Sequence, residues 1–454
     1  MSFIESLHGA SVLVFGAGVT GKPTVEFLTA HGAQVFVVDE KGEEVGALHS
    51  LDTIELSGLS YAVVSPGWRI DHPMIDQVRQ ASIEIISEID LAWRVKCERR
   101  PDQRWIALTG TNGKTTTVQM AEAMLRHDGR RALACGNVGT TAIEAVWRED
   151  VDILVLELSS FQLEWSNEAH FEAAAILNIA EDHIDWHGSF DNYAQSKFRI
   201  ASRAARAILY KSDPEISRRA RDLTIPVTFF SLDVPLNHEV GLVENLIVDR
   251  EFIVDEAEAL FELGDVTPAV PHNVLNAMAA ASLVRSLGVS ADAIASALRE
   301  FRLDHHRLET VAVHNGISWI DDSKATNPHA ALAALQSQIR SIWIAGGLAK
   351  GAAMDDLISS ARTRIKSAIL IGRDAPIIES ALKKCAPEIP YHIVDPSLRG
   401  FAVMQAAVEV AKSEARDGDV VLLAPACASM DQFRNYAERG EFFARAVKEV
   451  VYGK

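Results

Sequence analysis

Short apolar runs that end in glycine-bearing or acidic turns recur along this chain, and stretches with apolar residues at helical spacing follow many of them. Such runs are typical of parallel strands, because a parallel sheet covered by helices is buried on both faces. The pattern therefore predicts an α/β protein with mostly parallel sheets. The predicted strands span 11–15, 34–38, 61–64, 105–108, 132–135, 151–158, 173–178, 317–320, 341–345, 368–371 and 420–424.

Two polar stretches divide these runs into three α/β domains. The first, 97–104, has the sequence CERRPDQR, and the second lies near 299–304, before the sequence HHR. A chain of 454 residues agrees with three domains, since a domain commonly has about 150 residues. We predict an N-terminal Rossmann-like domain over 1–100, a central domain over 101–303 and a C-terminal Rossmann-like domain over 304–454.

The run at 105–108 leads into the sequence TGTNGKTT, and a segment with helical apolar spacing follows. A glycine-bearing loop between a strand and a helix directs backbone N–H groups and the helix N-terminus at an anion. Lys114 adds positive charge, and the Thr115 hydroxyl can ligate magnesium. A strict GxxxxGK[ST] motif would carry glycine at position 108, where this chain has Leu108. We interpret the stretch as the ATP-binding loop of a P-loop ATPase-type domain, with an ordinary strand–turn–helix corner as the alternative.

A second glycine motif lies near the N-terminus. Gly16, Gly18 and Gly21 form a GxGxxG sequence between a predicted strand and a predicted helix, and Asp39 ends the next strand. This arrangement is typical of dinucleotide-binding domains, in which the acidic residue bonds a ribose hydroxyl. NAD and another nucleotide both fit these residues, as does a module that uses the glycines only for tight packing. The turn SPG at 65–67 follows a third strand, at the sheet edge where ligands usually bind.

Candidate metal ligands follow two strands of the central domain. Glu157 lies inside a strongly apolar run. Burying its carboxylate unpaired would be costly, so the residue needs a metal ion or a cation. The neighbouring phosphate loop favours magnesium, and a salt bridge is the alternative. The run at 173–178 leads into IAEDHIDWH, which places acidic groups and His183 at the ligand-binding edge. Lys197, judged from its own surroundings alone, is expected to be a surface lysine.

Composition excludes several classes of protein. The chain is 48% hydrophobic and 23% charged, as in ordinary globular proteins. Its net charge of −18 argues against a nucleic-acid partner, which requires clustered basic residues. The scattered Cys97, Cys135, Cys385 and Cys427 suggest neither a disulfide framework nor a zinc site. The N-terminus lacks the features of a signal peptide, and no apolar run approaches membrane-spanning length, so a cytoplasmic protein is expected.

Three polar corners stand out in the C-terminal domain. They are DDSKATN at 321–327, GGLAKG at 346–351 and PACASMD at 425–431, and each follows a predicted strand. Because the carboxyl ends of parallel strands meet at one edge of a sheet, we expect the three corners to lie along the same edge.

Taken together, GTNGKTT, SPG, ELSSFQLE, EDHID, HHR, DSKATN and ACASMDQFRNYAERG resemble the motifs of the Mur ligase family, in the family's order and across essentially the whole chain. The resemblance implies an ATP-dependent acid–amino-acid ligase of EC 6.3.2 type. The segments SSFQLE and DSKATN are similar to those of the member that adds D-glutamate to UDP-N-acetylmuramoyl-L-alanine in peptidoglycan precursor synthesis. The resemblance further implies a monomer that uses ATP, two Mg²⁺ ions and a carbamylated Lys197. This role replaces the expectation that Lys197 is a surface lysine.

The resemblance also implies roles for individual residues. The implied ATP-binding residues are Gly110, Thr111, Asn112, Gly113, Lys114, Thr115, Thr116, Asn273, Asn276, Arg307 and Asp322. Those implied for the UDP-linked substrate are Gly18, Thr20, Asp39, Ser65, Gly67, Asn137, Ser159 and Gln162. Those implied for the incoming amino acid are Thr326, Lys350, Ser429 and Tyr436. The implied metal ligands are Thr115, Glu157, His183 and the carbamate of Lys197, and the implied catalytic residues are Lys114, His183, Lys197, Arg307 and Lys324.

The chain departs from the family's pattern at three places. The glycine corner has the sequence GGLAKGAAM in place of GGxDKGxDF, Trp186 stands where a basic residue is common, and Tyr436 stands where phenylalanine is common. The alternatives are another Mur ligase, a ligase similar to folylpolyglutamate synthase, an NAD-linked oxidoreductase and a non-catalytic nucleotide-binding regulator. With the resemblance included, the GxGxxG loop is expected to bind a UDP diphosphate, and NAD becomes a minor alternative.

Overall fold

The computed structural model describes residues 2–40, 47–253 and 257–453. Their strands form three sheets, of four, nine and six strands, so the predicted α/β class with three mostly parallel sheets is confirmed. Contacts divide the chain into two compact units, Met1–Ile179 with Trp186–Phe301 and Ala180–Asp185 with Arg302–Lys454. The predicted domain boundaries at 100/101 and 303/304 stay predictions. No helix in the described ranges is long and apolar enough to cross a membrane.

The N-terminal sheet is fully parallel. Its strands are β1 (Ser11–Phe15), β2 (Gln34–Val38), β3 (Tyr61–Val64) and β4 (Glu84–Ser87), and its helices are α1 (Phe3–Leu7), α2 (Gly21–Ala30), α3 (Pro73–Gln80) and α4 (Glu88–Arg99). The strand order β2-β1-β3-β4 places the carboxyl ends of β1, β2 and β3 side by side. The first three strands agree with the predicted ones residue for residue.

The central sheet has nine strands. Its strands are β5 (Arg104–Thr109), β6 (Ala132–Gly136), β7 (Ile153–Glu157), β8 (Ala173–Ile176), β9 (Ala207–Tyr210), β10 (Val227–Phe230), β11 (Glu239–Val243), β12 (Leu246–Asp249) and β13 (Glu258–Glu262). Its helices are α5 (Lys114–His127), α6 (Ala142–Arg148), α7 (Ser160–Trp165), α8 (Ile184–His187), α9 (Phe190–Phe198), α10 (Pro214–Arg219), α11 (Pro271–Arg285) and α12 (Ala291–Glu300). The order is β13-β12-β11-β10-β9-β8-β5-β7-β6, and neighbouring strands are parallel except that β12 runs antiparallel to both β11 and β13.

The C-terminal sheet has six strands. Its strands are β14 (Glu309–His314), β15 (Ile317–Asp321), β16 (Ser341–Gly346), β17 (Ile365–Ile371), β18 (Tyr391–Ile393) and β19 (Val420–Leu423). Its helices are α13 (Pro328–Gln336), α14 (Asp355–Ala361), α15 (Ala375–Cys385), α16 (Phe401–Glu414) and α17 (Tyr436–Tyr452). The order β14-β15-β19-β16-β17-β18 is parallel except for the edge strand β14, and each face of the sheet packs against a separate apolar core.

Two buried carboxylates at the start of α4 join the first two sheets within one unit. Asp90 is 1% exposed and accepts hydrogen bonds from the backbone N–H groups of Asn167 and Glu168, at 3.0 and 2.9 Å. Glu88 accepts from the backbone N–H of Ile143 at 2.7 Å, in the first turn of α6. Burial raises the pKa of the Glu88 carboxyl to about 7. Neither residue was singled out from the sequence, because their partners lie far away along the chain.

Candidate active site

The phosphate loop leaves the central sheet between β5 and α5. Gly113 has a φ of +81°, and a Cβ atom added there would lie 2.3 Å from Oδ1 of Asn276. Asn178 holds the loop: its Oδ1 accepts from the backbone N–H of Asn112 at 2.8 Å, and its Nδ2 donates to the Asn112 carbonyl at 3.0 Å. Asn178 was not singled out from the sequence, although it ends the apolar run at 173–178. The predicted loop between a strand and a helix is confirmed.

We expect Gly113→Ala to lower the affinity for ATP about 10²-fold, since a displacement of about 1 Å in a positioning loop can cost this much. Alanine would be strained at positive φ, and its Cβ would collide with Asn276. ATP affinity is measured by calorimetry. Gly129→Ala is the control, because Gly129 also has a positive φ, of +76°, but has open space at its Cβ position. If the two variants bind ATP equally well, the close approach of Asn276 to Gly113 does not contribute to ATP binding.

Two lysines contact the same carbonyl oxygen of this loop. Lys114 Nζ lies 3.0 Å from the Gly110 oxygen and 2.9 Å from the Thr111 oxygen. Lys197 Nζ lies 2.8 Å from the Gly110 oxygen and 4.7 Å from the ring centroid of Tyr193. Lys197 is 2% exposed, so the expectation of a surface lysine is wrong. Its burial arises from the packing of α9 beneath the loop, a contact between distant parts of the chain.

Glu157 ends β7, beside β5. The side chain is 2% exposed, and its Oε1 accepts a hydrogen bond from Asn137 Nδ2 at 2.8 Å. Its Oε2 is buried and has no hydrogen-bond partner within the described ranges. The predicted salt-bridge alternative is therefore wrong for this part of the chain. An unpaired anionic oxygen at the edge that carries the phosphate loop suits Mg²⁺, which prefers oxygen ligands.

The two asparagines of α11 are three residues apart, so they lie on one face of the helix. Asn276 is 8% exposed, and its Oδ1 faces Gly113. Asn273 is 2% exposed and donates through Nδ2 to the Pro268 carbonyl at 3.0 Å. The structure therefore brings Asn276 to the phosphate loop, whereas Asn273 contacts the segment before α11.

The N-terminal glycine loop and the ends of β2 and β3 meet at one sheet edge. Asp39 Oδ2 accepts a hydrogen bond from the backbone N–H of Ala17 at 2.7 Å. A Cβ atom at Gly16 would lie 2.8 Å from Ser65 Oγ, so glycine permits the loop and the SPG turn to pack closely. Gly18 and Gly67 have open space around their Cβ positions, which leaves their backbone accessible to a ligand. Asp39, Ser65 and the glycine loop thus lie together.

Ser159 and Gln162 form a reciprocal cap at the start of α7. Gln162 Oε1 accepts from the backbone N–H of Ser159 at 2.9 Å, and Ser159 Oγ accepts from the backbone N–H of Gln162 at 3.2 Å. This arrangement is a capping box, which satisfies backbone groups at a helix start. The cap fixes the turn that directly follows Glu157.

The three C-terminal corners follow β15, β19 and β16, which are adjacent and parallel. Backbone hydrogen bonds join the corners, from Ala426 N to Ala325 O at 3.0 Å and from Leu348 N to Ala428 O at 2.8 Å. A Cβ atom at Gly347 would lie 2.1 Å from the Ala428 oxygen, so the close approach of two corners requires glycine. The predicted common edge is confirmed.

The candidate side chains on these corners differ in exposure. Lys324 Nζ lies 3.8 Å from the ring centroid of Tyr436, a cation–π contact. Asp322 Oδ1 accepts from the backbone N–H of Leu308 at 3.2 Å, and burial raises the pKa of this carboxyl to about 7. Ser429 is 3% exposed, whereas the side chain of Lys350 is exposed. The structure therefore brings Lys324 and Tyr436 together.

His306, in the HHR sequence, forms an internal ion pair. Its Nδ1 lies 2.7 Å from Oδ2 of the buried Asp321, and its backbone N–H donates to Glu309 Oε2 at 3.0 Å. Ligand atoms of these three residues lie within 4.8 Å of one another. The hydrogen bond to Asp321 raises the pKa of His306 above its usual value. The three groups thus already satisfy one another, and the pair joins the start of β14 to the end of β15.

We expect His306→Gln to remove a pH-dependent part of the stability. Because the folded-state pKa is raised, the ion pair contributes fully below the unfolded-state pKa of about 6.5 and is lost as the pH rises through the folded-state value. Urea midpoints of the wild type and the variant should therefore differ most at about pH 6 and converge at alkaline pH. His314→Gln, which removes a ring packed on Tyr452, is the control. A midpoint difference that is constant with pH would contradict the ion-pair explanation.

The segment Ala180–Asp185 groups with the second unit, whereas the phosphate loop, Glu157 and Lys197 belong to the first. Within this segment His183 has a φ of +53°, and its Nε2 lies 3.6 Å from Oδ2 of Asp182. The predicted sharing of a metal ion by His183 and Glu157 stays a prediction.

Three family models match the chain in the order of its sheets. They are the MurD-like N-terminal domain of Mur ligases over residues 10–87, the Mur ligase middle domain over 108–284 and the glutamate ligase domain of Mur ligases over 306–427. The chain belongs to the Mur ligase family.

Curated relatives cover the full length of the chain. It is 46% identical to a UDP-N-acetylmuramoylalanine–D-glutamate ligase of Thermobifida fusca, with 98% of this chain and 99% of the relative aligned. It is 42% identical to the protein of the same name from Streptomyces coelicolor, over 98% and 99%.

Solved structures share the fold at low identity. A pseudomurein peptide ligase type C from Methanothermus fervidus is 18% identical, with a TM-score of 0.60, over 97% of this chain and 100% of that chain. MurF ligase from Thermotoga maritima in complex with ADP is 15% identical, with a TM-score of 0.59, over 100% and 97%. These likenesses show that the fold extends over the whole chain.

Proposed function

We propose that this chain is an ATP-dependent ligase that joins D-glutamate to UDP-N-acetylmuramoyl-L-alanine in peptidoglycan precursor synthesis. The full-length similarity to two D-glutamate ligases supports the substrate assignment. The observation that carries the chemistry is the phosphate loop beside the buried, unpaired Oε2 of Glu157. With ATP and a UDP-linked precursor as substrates, we propose that the enzyme acts in the cytoplasm, as a monomer.

The reaction must activate a carboxylate, which is a poor electrophile because attack by an amine would have to expel oxide. ATP transfers its γ-phosphoryl group to a carboxylate oxygen of UDP-N-acetylmuramoyl-L-alanine, which gives ADP and an acyl phosphate. The amine of D-glutamate then attacks the acyl carbon, loses a proton and expels phosphate as the amide bond forms. Both steps bring anionic oxygens together, so cationic groups must stabilise them.

The phosphate loop and α5 would bind the ATP phosphates through backbone N–H groups and the helix N-terminus. Lys114 would turn from the loop carbonyls to the phosphates. Thr115 and Glu157 would hold Mg²⁺, which supplies positive charge to the phosphate oxygens. Asn276 already lies against the loop, and we assign it with Asn273 to the adenine.

We assign the remaining residues to three groups. In the C-terminal domain, Arg307 and Lys324 would contact the transferred phosphoryl group, and Asp322 would bind the ribose. Thr326, Lys350, Ser429 and Tyr436 would bind D-glutamate. The UDP-linked substrate would contact Gly18, Thr20, Asp39, Ser65, Gly67, Asn137, Ser159 and Gln162.

We further propose that Lys197 is carbamylated, and the charges around Gly110 support this proposal. Two ammonium groups that share one carbonyl oxygen repel each other, and the cation at position 197 would also repel a metal ion. Reaction of the neutral amine with CO₂ releases a proton and leaves a carbamate, which replaces this positive charge by negative oxygen ligands. We therefore assign Lys197, Glu157 and His183 to the binding of two Mg²⁺ ions.

Phosphate release in the presence of ATP, Mg²⁺ and UDP-N-acetylmuramoyl-L-alanine tests the proposal. We expect release to require D-glutamate and to fail with L-glutamate, L-lysine or glycine. A ligase of another specificity would release phosphate with a different amino acid, and a folate-linked acceptor would reveal a relative of folylpolyglutamate synthase. Phosphate release that ignores the amino acid, or a change in nicotinamide absorbance, would overturn the proposal.

A further inference from the structure

A fully buried arginine joins two of the C-terminal corners. Arg439 lies in α17 and is 0% exposed. Its Nε and Nη2 donate to Oγ and the carbonyl of Ser323, at 2.9 and 2.8 Å. Its Nη1 donates to the carbonyl of Cys427 at 3.0 Å. One guanidinium therefore spans the corner at 321–327 and the corner at 425–431.

The start of α17 makes a second set of contacts with the corner at 321–327. Ser323 Oγ donates to the Tyr436 carbonyl at 2.7 Å, and the Tyr436 ring lies against Lys324 Nζ. The next residue after the arginine, Gly440, lets the helix approach closely, because a Cβ atom there would lie 2.6 Å from Asp321 Oδ2. The helix thus contacts the corner through a side chain, a carbonyl and a bare backbone.

The partners of Arg439 are neutral. In the described part of the chain its guanidinium hydrogen-bonds to two carbonyls and a hydroxyl and forms no salt bridge. Burying a guanidinium among neutral acceptors costs desolvation energy, so an ion pair does not explain its position. The planar fork of donors does, because a guanidinium holds several acceptors at fixed directions, which an ammonium group cannot do.

We propose that Arg439 is a positioning residue of the ligase, which fixes the corner that carries Lys324 relative to the corner that carries Ser429. The inference rests on the proposed function, in which these two residues serve the phosphoryl group and D-glutamate. If the two corners drift apart, the incoming amine no longer meets the acyl phosphate at the right distance. The binding of the UDP-linked substrate, assigned to residues outside these corners, should change little.

The test compares Arg439→Lys and Ser323→Ala with the control Arg445→Gln. Arg445 lies on the same helix, is exposed and pairs with Glu449. For Arg439→Lys we expect kcat/KM for D-glutamate to fall about 10²-fold, since about 1 Å of misplacement can cost this much. For Ser323→Ala, which keeps both carbonyl acceptors, we expect a fall of about tenfold in the same constant. The KM for the UDP-linked substrate should stay within about twofold in all three variants.

Wild-type phosphate release is measured first, because its failure to depend on D-glutamate would overturn the proposed function itself. If the wild type is active, an unchanged kcat/KM for D-glutamate in folded Arg439→Lys overturns the role of Arg439. An equal change in the KM for every substrate, together with a lowered melting temperature, also overturns this role, because it indicates that Arg439 serves only the stability of the fold. If Arg439→Lys does not fold, Ser323→Ala decides: a selective loss for D-glutamate supports the proposal, and wild-type kinetics overturn it.

Discussion

Glu157→Gln is expected to lower kcat of the ligase about 10³-fold while leaving the fold intact. Loss of one group that stabilises developing charge in a preorganised site commonly costs about 10²–10³-fold, and here a magnesium ligand would be lost as well. The amide has the shape of the carboxylate, and its oxygen can still accept from Asn137. Because a neutral amide costs less to bury than a carboxylate, the free energy of unfolding without ligand should not fall.

Two measurements separate this explanation from simple damage. Phosphate release gives kcat, and the melting temperature with and without Mg·ATP gives the stabilisation by ligand, which grows with ligand affinity. The variant should lose both activity and ligand stabilisation. Glu164→Gln, on the neighbouring α7, is the matched control and should behave as the wild type. A fully active Glu157→Gln enzyme would show that the unpaired Oε2 serves no metal ion.

Sequence periodicity predicted where the site residues would gather, because it located the strand ends. Gly113 and Asn178 follow strands of the central sheet and Glu157 ends one; these strands are parallel, so their carboxyl ends share an edge. The same logic placed the three C-terminal corners correctly. Strand bounds were less accurate: the predicted run at 151–158 begins two residues before β7, which starts at Ile153, since Asp152 is exposed and pairs with Arg131.

Residues whose role depends on distant contacts could not be predicted in this way. Lys197 lies in a helix of mixed polarity, and only its contact with Gly110 shows that it is buried. Arg439 resembles an ordinary helix arginine until its bonds to Ser323 and Cys427 are known. Periodicity predicts which face of a helix or strand is buried. It does not predict which residues of another element contact that face, and those contacts determine the roles of Lys197 and Arg439.

Lys197→Ala is expected to lower kcat about 10³-fold, because the variant lacks the carbamate oxygens proposed as metal ligands. When the buried amine is removed, the Gly110 oxygen still accepts a hydrogen bond from Lys114, so the loop should keep its conformation. The melting temperature without ligand should therefore change little, although kcat falls. Lys211→Ala is the control, since Lys211 pairs with Glu239, the first residue of β11.

Dependence on CO₂ distinguishes a carbamate from an ammonium at position 197. Wild-type enzyme depleted of CO₂ and bicarbonate should lose activity, and added bicarbonate should restore it, because carbamate formation is reversible. The Lys197→Ala variant should not respond to bicarbonate. Wild-type activity that is independent of CO₂, together with an inactive Lys197→Ala, would assign the function to the ammonium group. A fully active Lys197→Ala variant would show that Lys197 has no role in the reaction. The contact of two lysines with the Gly110 oxygen would then need another explanation.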